Sequence, residues 1–179
     1  MATTLYLFPT EFEAAPFRAL RPDAEVRIIG VGMSQAAVAT ARLLADESPQ
    51  RVVLCGIAGT CDESMERGSV VEVVEDSEYG LPALYAKQYL PQRLTSLPAV
   101  RAFTVSRSGA SVAERVTAVE QMEGAAVGAV CVAWGVEYSH LRGVSNRVGE
   151  PKQMWRIGEA VESLTNVLCE MYDSEKKFL

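Results

Sequence analysis

Arg51-Val52-Val53-Leu54-Cys55-Gly56-Ile57-Ala58-Gly59 is the stretch that decides the fold. A continuous apolar run with no polar alternation describes a strand buried on both faces, as in a parallel sheet covered by helices. Gly56 and Gly59 predict a tight turn at the carboxyl end of that strand, where a ligand can approach the backbone closely. Upstream, Thr4–Phe8 is a short β-prone run closed by Pro9, and Thr10 is placed to cap a helix over Glu11–Leu20. Residues 24–31 predict a second strand. Gly30-Val31-Gly32 turns the chain, and Ser34 is placed to cap a helix over 35–47, in which Ala37, Ala41 and Leu44 keep helical spacing. Downstream, 69–74, 100–105 and 137–144 predict strands, and 123–134 a helix of small residues ended by Gly135. Pro151 precedes a long amphipathic helix with the apolar stripe Met154, Ile157, Val161, Leu164, Leu168 and Met171. The segment 76–99, punctuated by Pro82, Pro91 and Pro98, carries one short predicted helix around 83–89. Strands alternating with helices, without repeat or linker, predict a single α/β domain over residues 1–179. Its three layers are a central, mostly parallel or mixed sheet flanked by helices.

Composition narrows the function. The chain has 179 residues, 49% of them hydrophobic, enough for one sizeable core. Its 17 Lys and Arg against 23 Asp and Glu give a net charge of −6, which argues against nucleic-acid or anionic-membrane binding. Cys55, Cys61, Cys131 and Cys169 match neither a zinc motif nor a disulfide framework and read as buried small hydrophobes in a reducing compartment. His140 is the single histidine, so a histidine-rich metal site is excluded and no metal or cofactor is expected. No basic and apolar leader is present, and no apolar run approaches the roughly 18 residues of a membrane span. The expected location is cytoplasmic.

In sheets of this kind ligands sit at the carboxyl ends of the strands. Glu11 and Glu13 follow the first strand, Gly30-x-Gly32 the second, Gly56-x-x-Gly59 the third, and Ser145 and Asn146 the strand at 137–144. Gly30-x-Gly32 lacks the third glycine of a dinucleotide fingerprint, because position 35 is Gln35, and reads as a plain strand-to-helix turn. Glu123 is the most telling residue. It stands between Met122 and Gly124-Ala125-Ala126-Val127, a carboxylate at the start of an apolar helix, and needs a partner if buried. Two readings are open: it answers the positive end of its own helix, or its two acceptor oxygens take the hydroxyls of a ribose diol.

Gly30-Val31-Gly32-Met33-Ser34-Gln35-Ala36, Gly56-Ile57-Ala58-Gly59, Met122-Glu123-Gly124-Ala125-Ala126 and Arg142-Gly143-Val144-Ser145-Asn146 occur in that order. The ordered set resembles the nucleoside phosphorylase and nucleosidase superfamily. Within it the likeness is greatest to futalosine hydrolase, a nucleosidase of the alternative menaquinone pathway. The Gly-Ile-Ala-Gly stretch, Leu97-Pro98 with Phe103-Thr104-Val105 and Ser108-Gly109, and Ser145-Asn146 followed by Trp155-x-Ile157-x-x-Ala160-x-x-x-Leu164 carry it. The resemblance implies that Glu13 activates water and that Asn146 meets the purine edge. It implies that Glu123 binds the ribose hydroxyls with Met122 packed on the sugar, and that Gly56, Ile57, Ala58 and Ser145 line the substrate. It also implies a small purine nucleoside as partner and a homodimer or higher homo-oligomer.

Two substitutions give this resemblance a direction. Adenine-specific nucleosidases carry Asp where Asn146 stands, and a carboxylic acid protonates N7. An amide instead offers NH2 to N7 or O6 and C=O to N1–H, which suits a 6-oxopurine and release of hypoxanthine. Where phosphorylases hold phosphate with Arg and Ser or Thr, Leu54 and Ile57 stand here, a poor phosphate cradle. The expected activity is therefore hydrolysis of the N-glycosidic bond. The alternatives are a nucleoside phosphorylase or a catalytically impaired nucleoside-binding relative. The segment 76–99 is short for the family, and Val112 falls near the place of its base-stacking aromatic residue.

Overall fold

A computed structural model describes residues 4–176. Eight strands form one mixed sheet with helices on both faces: β1 (Thr4–Phe8), β2 (Glu25–Ile28), β3 (Arg51–Thr60), β4 (Val70–Glu78), β5 (Gln88–Tyr89), β6 (Ala99–Thr104), β7 (Ala118–Gln121) and β8 (Glu137–Arg147). The helices are α1 (Glu11–Leu20), α2 (Met33–Glu47), α3 (Gly124–Trp134) and α4 (Ile157–Lys176). The expected three-layer α/β architecture is the one found.

β3 is the axis of the molecule. Its first half pairs in parallel with β1, its last residues Gly59 and Thr60 pair antiparallel with β7, and its other edge runs parallel to β8 throughout. β8 pairs next with β4, β4 with β6 and β6 with β7. The sheet thus curls into a closed ring, β3–β8–β4–β6–β7, with β1 and β2 extending from one side. Val71, Val73, Val100, Ala102, Val119 and Val144 fill the ring. α1 and α4 cover one face, where Phe17 is fully buried against Tyr6 and Tyr172. α2 and α3 cover the other, over Leu5, Leu7, Val52 and Leu54.

Several boundaries depart from the sequence reading. Gly56-Ile57-Ala58-Gly59 is not a turn: β3 runs through it to Thr60, because β8 offers a continuous ladder on one side and β7 takes over on the other. Ser145 and Asn146 likewise lie inside β8 rather than after it. Gly32, not Ser34, is the residue that caps α2. In place of the helix predicted around 83–89 there is one turn held by Tyr85 and Ala86 N–H groups on the Pro82 carbonyl, followed by β5. Pairing of Gln88 and Tyr89 with Ser77 and Asp76 outweighs local helix propensity there. Met154 sits in a 3-10 turn before α4 and is exposed, so it is not part of the apolar stripe. β7 was not predicted; four residues with a central Glu120 give no periodic signal. The four cysteines are free and buried, and burial pushes the Cys131 thiol up to about 12.

Candidate active site

The carboxyl ends of β1, β3 and β8 and the start of α3 surround a cavity of about 420 Å³. Glu13, Ile57, Ala58, Met122, Glu123, Ser145 and Asn146 all line it. Residues more than 130 positions apart in sequence are thus brought to one place by the parallel β1/β3/β8 arrangement.

Glu13 is buried in the first turn of α1, two residues inside a helix whose start is fixed by Thr10. The Thr10 hydroxyl accepts the Glu13 backbone N–H (3.3 Å) and donates to Glu13 Oε2 (2.5 Å). The Ile57 N–H donates to Oε1 (2.9 Å). The expected cap is present and also orients the carboxylate.

Glu123 resolves the two readings left open by the sequence in part. It occupies the cap position of α3, yet its carboxylate bonds no N–H of that helix. Gln121 does the capping instead, its Oε1 accepting the N–H groups of Glu123 (2.8 Å) and Gly124 (2.7 Å). This frees the Glu123 carboxylate to turn outward. Oε1 accepts the Gly32 N–H (3.0 Å) at the start of α2, and Oε2 accepts from Arg142 Nη2 (3.2 Å).

Arg142, which opens the Arg142-Gly143-Val144-Ser145-Asn146 stretch, has no role in the sequence reading. It is almost fully buried and lines the cavity. Besides Glu123, it donates to the Ile57 carbonyl (3.1 Å), Gln121 Oε1 (3.1 Å) and His140 Nε2 (2.7 Å). The signal for it was present: a guanidinium in the middle of a buried strand must be paired. Gly56 makes the space. A Cβ there would stand 2.6 Å from Arg142 Nη1 and 3.0 Å from Glu13 Oε1. Gly56 therefore lies beneath these side chains and does not itself line the cavity.

Asn146 reaches the cavity through an irregularity. The β3/β8 register slips between Ala58 and Gly59, so that Ser145 is passed over and Asn146 pairs with Gly59. Such a bulge lets two consecutive residues face one side, which regular alternation forbids. The Ser145 hydroxyl is within donating distance of Asn146 Oδ1 (2.7 Å) and the Ala58 carbonyl (3.2 Å). Asn146 Nδ2 donates to the Arg147 carbonyl (2.9 Å). These partners fix which amide atom is oxygen. They leave one N–H and one oxygen lone pair of the amide for a ligand. Gly59 supplies the room, since a Cβ there would lie 2.8 Å from Asn146 Nδ2.

Val112 does not serve the cavity. It is half exposed and packs against Gly149. The aromatic lining comes from Phe12 and Trp155, which the sequence reading did not assign to the site. Trp155 is anchored by Nε1 donating to the Glu150 carbonyl (2.9 Å). Among the described residues, the only cation lining the cavity is Arg142, and no cluster of His, Cys, Asp and Glu fit for a metal is found. No helix of the described chain is long and apolar enough to cross a membrane.

No protein-family model matches the chain. It is similar to the futalosine hydrolase of Thermus thermophilus, 28% identical, with 96% of this chain and 96% of the relative covered. That alignment extends over 216 positions against 179 residues here, so the relative carries segments this chain lacks. Among solved structures, a futalosine hydrolase mutant of Helicobacter pylori superimposes with a TM-score of 0.86 at 15% identity, covering 97% of this chain and all of that one. The 5′-methylthioadenosine/S-adenosylhomocysteine nucleosidase of the same organism superimposes with 0.85 at 16% identity, over 97% and 99%. The fold is that of these nucleosidases, and the likeness to futalosine hydrolase read from the motifs is borne out.

Proposed function

We propose that this chain is a nucleosidase that hydrolyses the N-glycosidic bond of a 6-oxopurine nucleoside and releases hypoxanthine. One observation carries the reading: two buried carboxylates, Glu13 and Glu123, and one half-satisfied amide, Asn146, converge on a single cavity. In this mechanism Glu13 takes a proton from a water molecule as its oxygen bonds to C1′ of the ribose. The C1′–N9 bond breaks and its electron pair passes to the purine. The free N–H of Asn146 meets the charge that develops on the base, and its carbonyl accepts the N1–H of a 6-oxopurine. Glu123 holds the ribose hydroxyls, with Met122 against the sugar. Ile57, Ala58 and Ser145 shape the wall.

Hydrolysis is favoured over phosphorolysis by charge. Four N–H groups of Arg142 are engaged within the protein, and the carboxylates of Glu13, Glu120 and Glu123 line the same cavity. A phosphate dianion entering there would meet repulsion without a dedicated cradle.

The test is incubation with futalosine, inosine and 5′-methylthioadenosine, with and without phosphate, followed by chromatography of the free base. Release of hypoxanthine without phosphate is expected. Strict phosphate dependence overturns the hydrolytic reading, and release of adenine alone overturns the 6-oxopurine reading. A second copy of the chain is proposed to cover α3, eleven residues without a charge whose Val132 and Trp134 are exposed. Light scattering that gives a monomer refutes this.

A further inference from the structure

Beneath the ribose carboxylate lies a buried polar chain that no reaction step touches. Arg142 Nε donates to His140 Nε2 at 2.7 Å. A guanidinium only donates, so Nε2 carries no proton. The proton of the neutral imidazole is then on Nδ1, which faces Asp76 Oδ2 at 3.4 Å, a close electrostatic approach rather than an aligned hydrogen bond, and has no other partner among the described residues. Asp76 is completely buried. It accepts the Thr104 hydroxyl (2.7 Å) and the Gln121 amide (3.0 Å). The Thr104 oxygen accepts in turn from Gln121 Nε2 (2.7 Å) and the Ala125 N–H (2.8 Å), which ties the chain to the first turn of α3.

Gly124 shows how closely this is fitted. A Cβ at that position would stand 1.9 Å from Asp76 Oδ2 and 2.6 Å from His140 Cε1. The glycine that follows Glu123 in Met122-Glu123-Gly124 is therefore needed for Asp76 and His140 to meet behind it. The charged groups facing His140 are Asp76 on β4, Arg142 on β8 and Glu123 at the start of α3. Burial and the adjacent Arg142 push the imidazole pKa down, against the pull of Asp76, so the neutral form fits the site.

We infer that His140 and Asp76 are positioning residues for the sugar subsite: neutral His140, oriented by Asp76, fixes the guanidinium of Arg142, which fixes Glu123 Oε2 toward the cavity. This rests on Glu123 being the ribose acceptor. His140→Leu removes the acceptor at similar volume and leaves a buried N–H unpaired. His140→Gln keeps an acceptor within reach. On inosine, His140→Leu is expected to lower kcat/KM about tenfold or more, and His140→Gln by about threefold or less. On 2′,3′-dideoxyinosine, which lacks the hydroxyls Glu123 would hold, the Leu penalty should vanish. An equal penalty on both substrates, or Gln no better than Leu, overturns the inference.

A second measurement is independent of turnover. His140 is the only histidine, so a histidine-15N-labelled sample gives one imidazole spectrum. A protonated Nδ1 and bare Nε2, unchanged between about pH 5 and 8, is expected. An Nε2–H tautomer, or ordinary titration, overturns the inference. Wild-type protein that releases no base sinks the nucleosidase reading instead, and the imidazole spectrum then decides the Asp76–His140–Arg142 link by itself.

Discussion

Two of the carboxylates that line the cavity, Glu13 and Glu123, are held in opposite ways. Glu13 is fixed locally: Thr10, three residues before it, holds its backbone and its side chain, and only one bond, from the Ile57 N–H, comes from elsewhere. Glu123 is fixed globally: Gly32 lies 91 positions away and Arg142 lies 19 away, with Gln121, His140 and Asp76 arranged behind them. A group held by its own helix can be altered with little damage to the fold. A group held by a buried ionic network cannot, because removing one member strands the others in a low dielectric.

Substitutions on the two sides should separate these modes. Glu13→Gln should cut base release about a thousandfold while the thermal midpoint stays close to wild type, because the amide can still accept from Ile57. A large loss of stability would show that Glu13 is not locally held. Arg142→Met should do the reverse, costing about 3–5 kcal/mol of stability in urea unfolding because Glu123 and Asp76 remain buried without it. A cost below about 1 kcal/mol would mean the network is dispensable. Thr10→Val should lower base release about tenfold and stability by about 1 kcal/mol, through loss of the cap and of the Glu13 contact together. Activity unchanged by that variant would detach Thr10 from the orientation of Glu13.

The smallest effect concerns pH. The His140 pKa is depressed in the folded chain, so below about pH 6.5 the unfolded chain takes up a proton that the folded chain refuses. Stability should therefore fall as pH drops through that value, and His140→Leu should flatten this part of the profile. Parallel wild-type and variant profiles of the urea midpoint would contradict it.

The same contrast explains what the sequence made legible. β1 and α1 were legible to the residue, because Pro9, Thr10 and the helical spacing act within one turn, while Glu13 was singled out only through the family resemblance. Glu123 was visible as an anomaly, but its partners were not, since β8 and the Gly30–Gly32 turn come to it only through the sheet. The Gly56–Gly59 stretch was taken for a turn because its glycines are needed for side chains rather than for backbone bending: Arg142 and Glu13 fill one space and Asn146 the other. Trp155 escaped notice as a cavity residue because its place depends on the Arg156 N–H reaching back to the Ser145 carbonyl (2.7 Å).

That carbonyl belongs to the bulge in β8, and the bulge divides the strand into two parts under different constraint. Up to Val144 each residue is bound into the ladder, and Arg142 is locked to four partners. Beyond the slip, the side chain at position 146 rests on one hydroxyl and one carbonyl, over a glycine. An exchange between amide and acid at that position alters what the base edge meets without disturbing an interstrand bond. The strand thus fixes Arg142 within its ladder and leaves the side chain at position 146 free to change; under the proposed function, one scaffold could then pass between purines by a change at a single side chain.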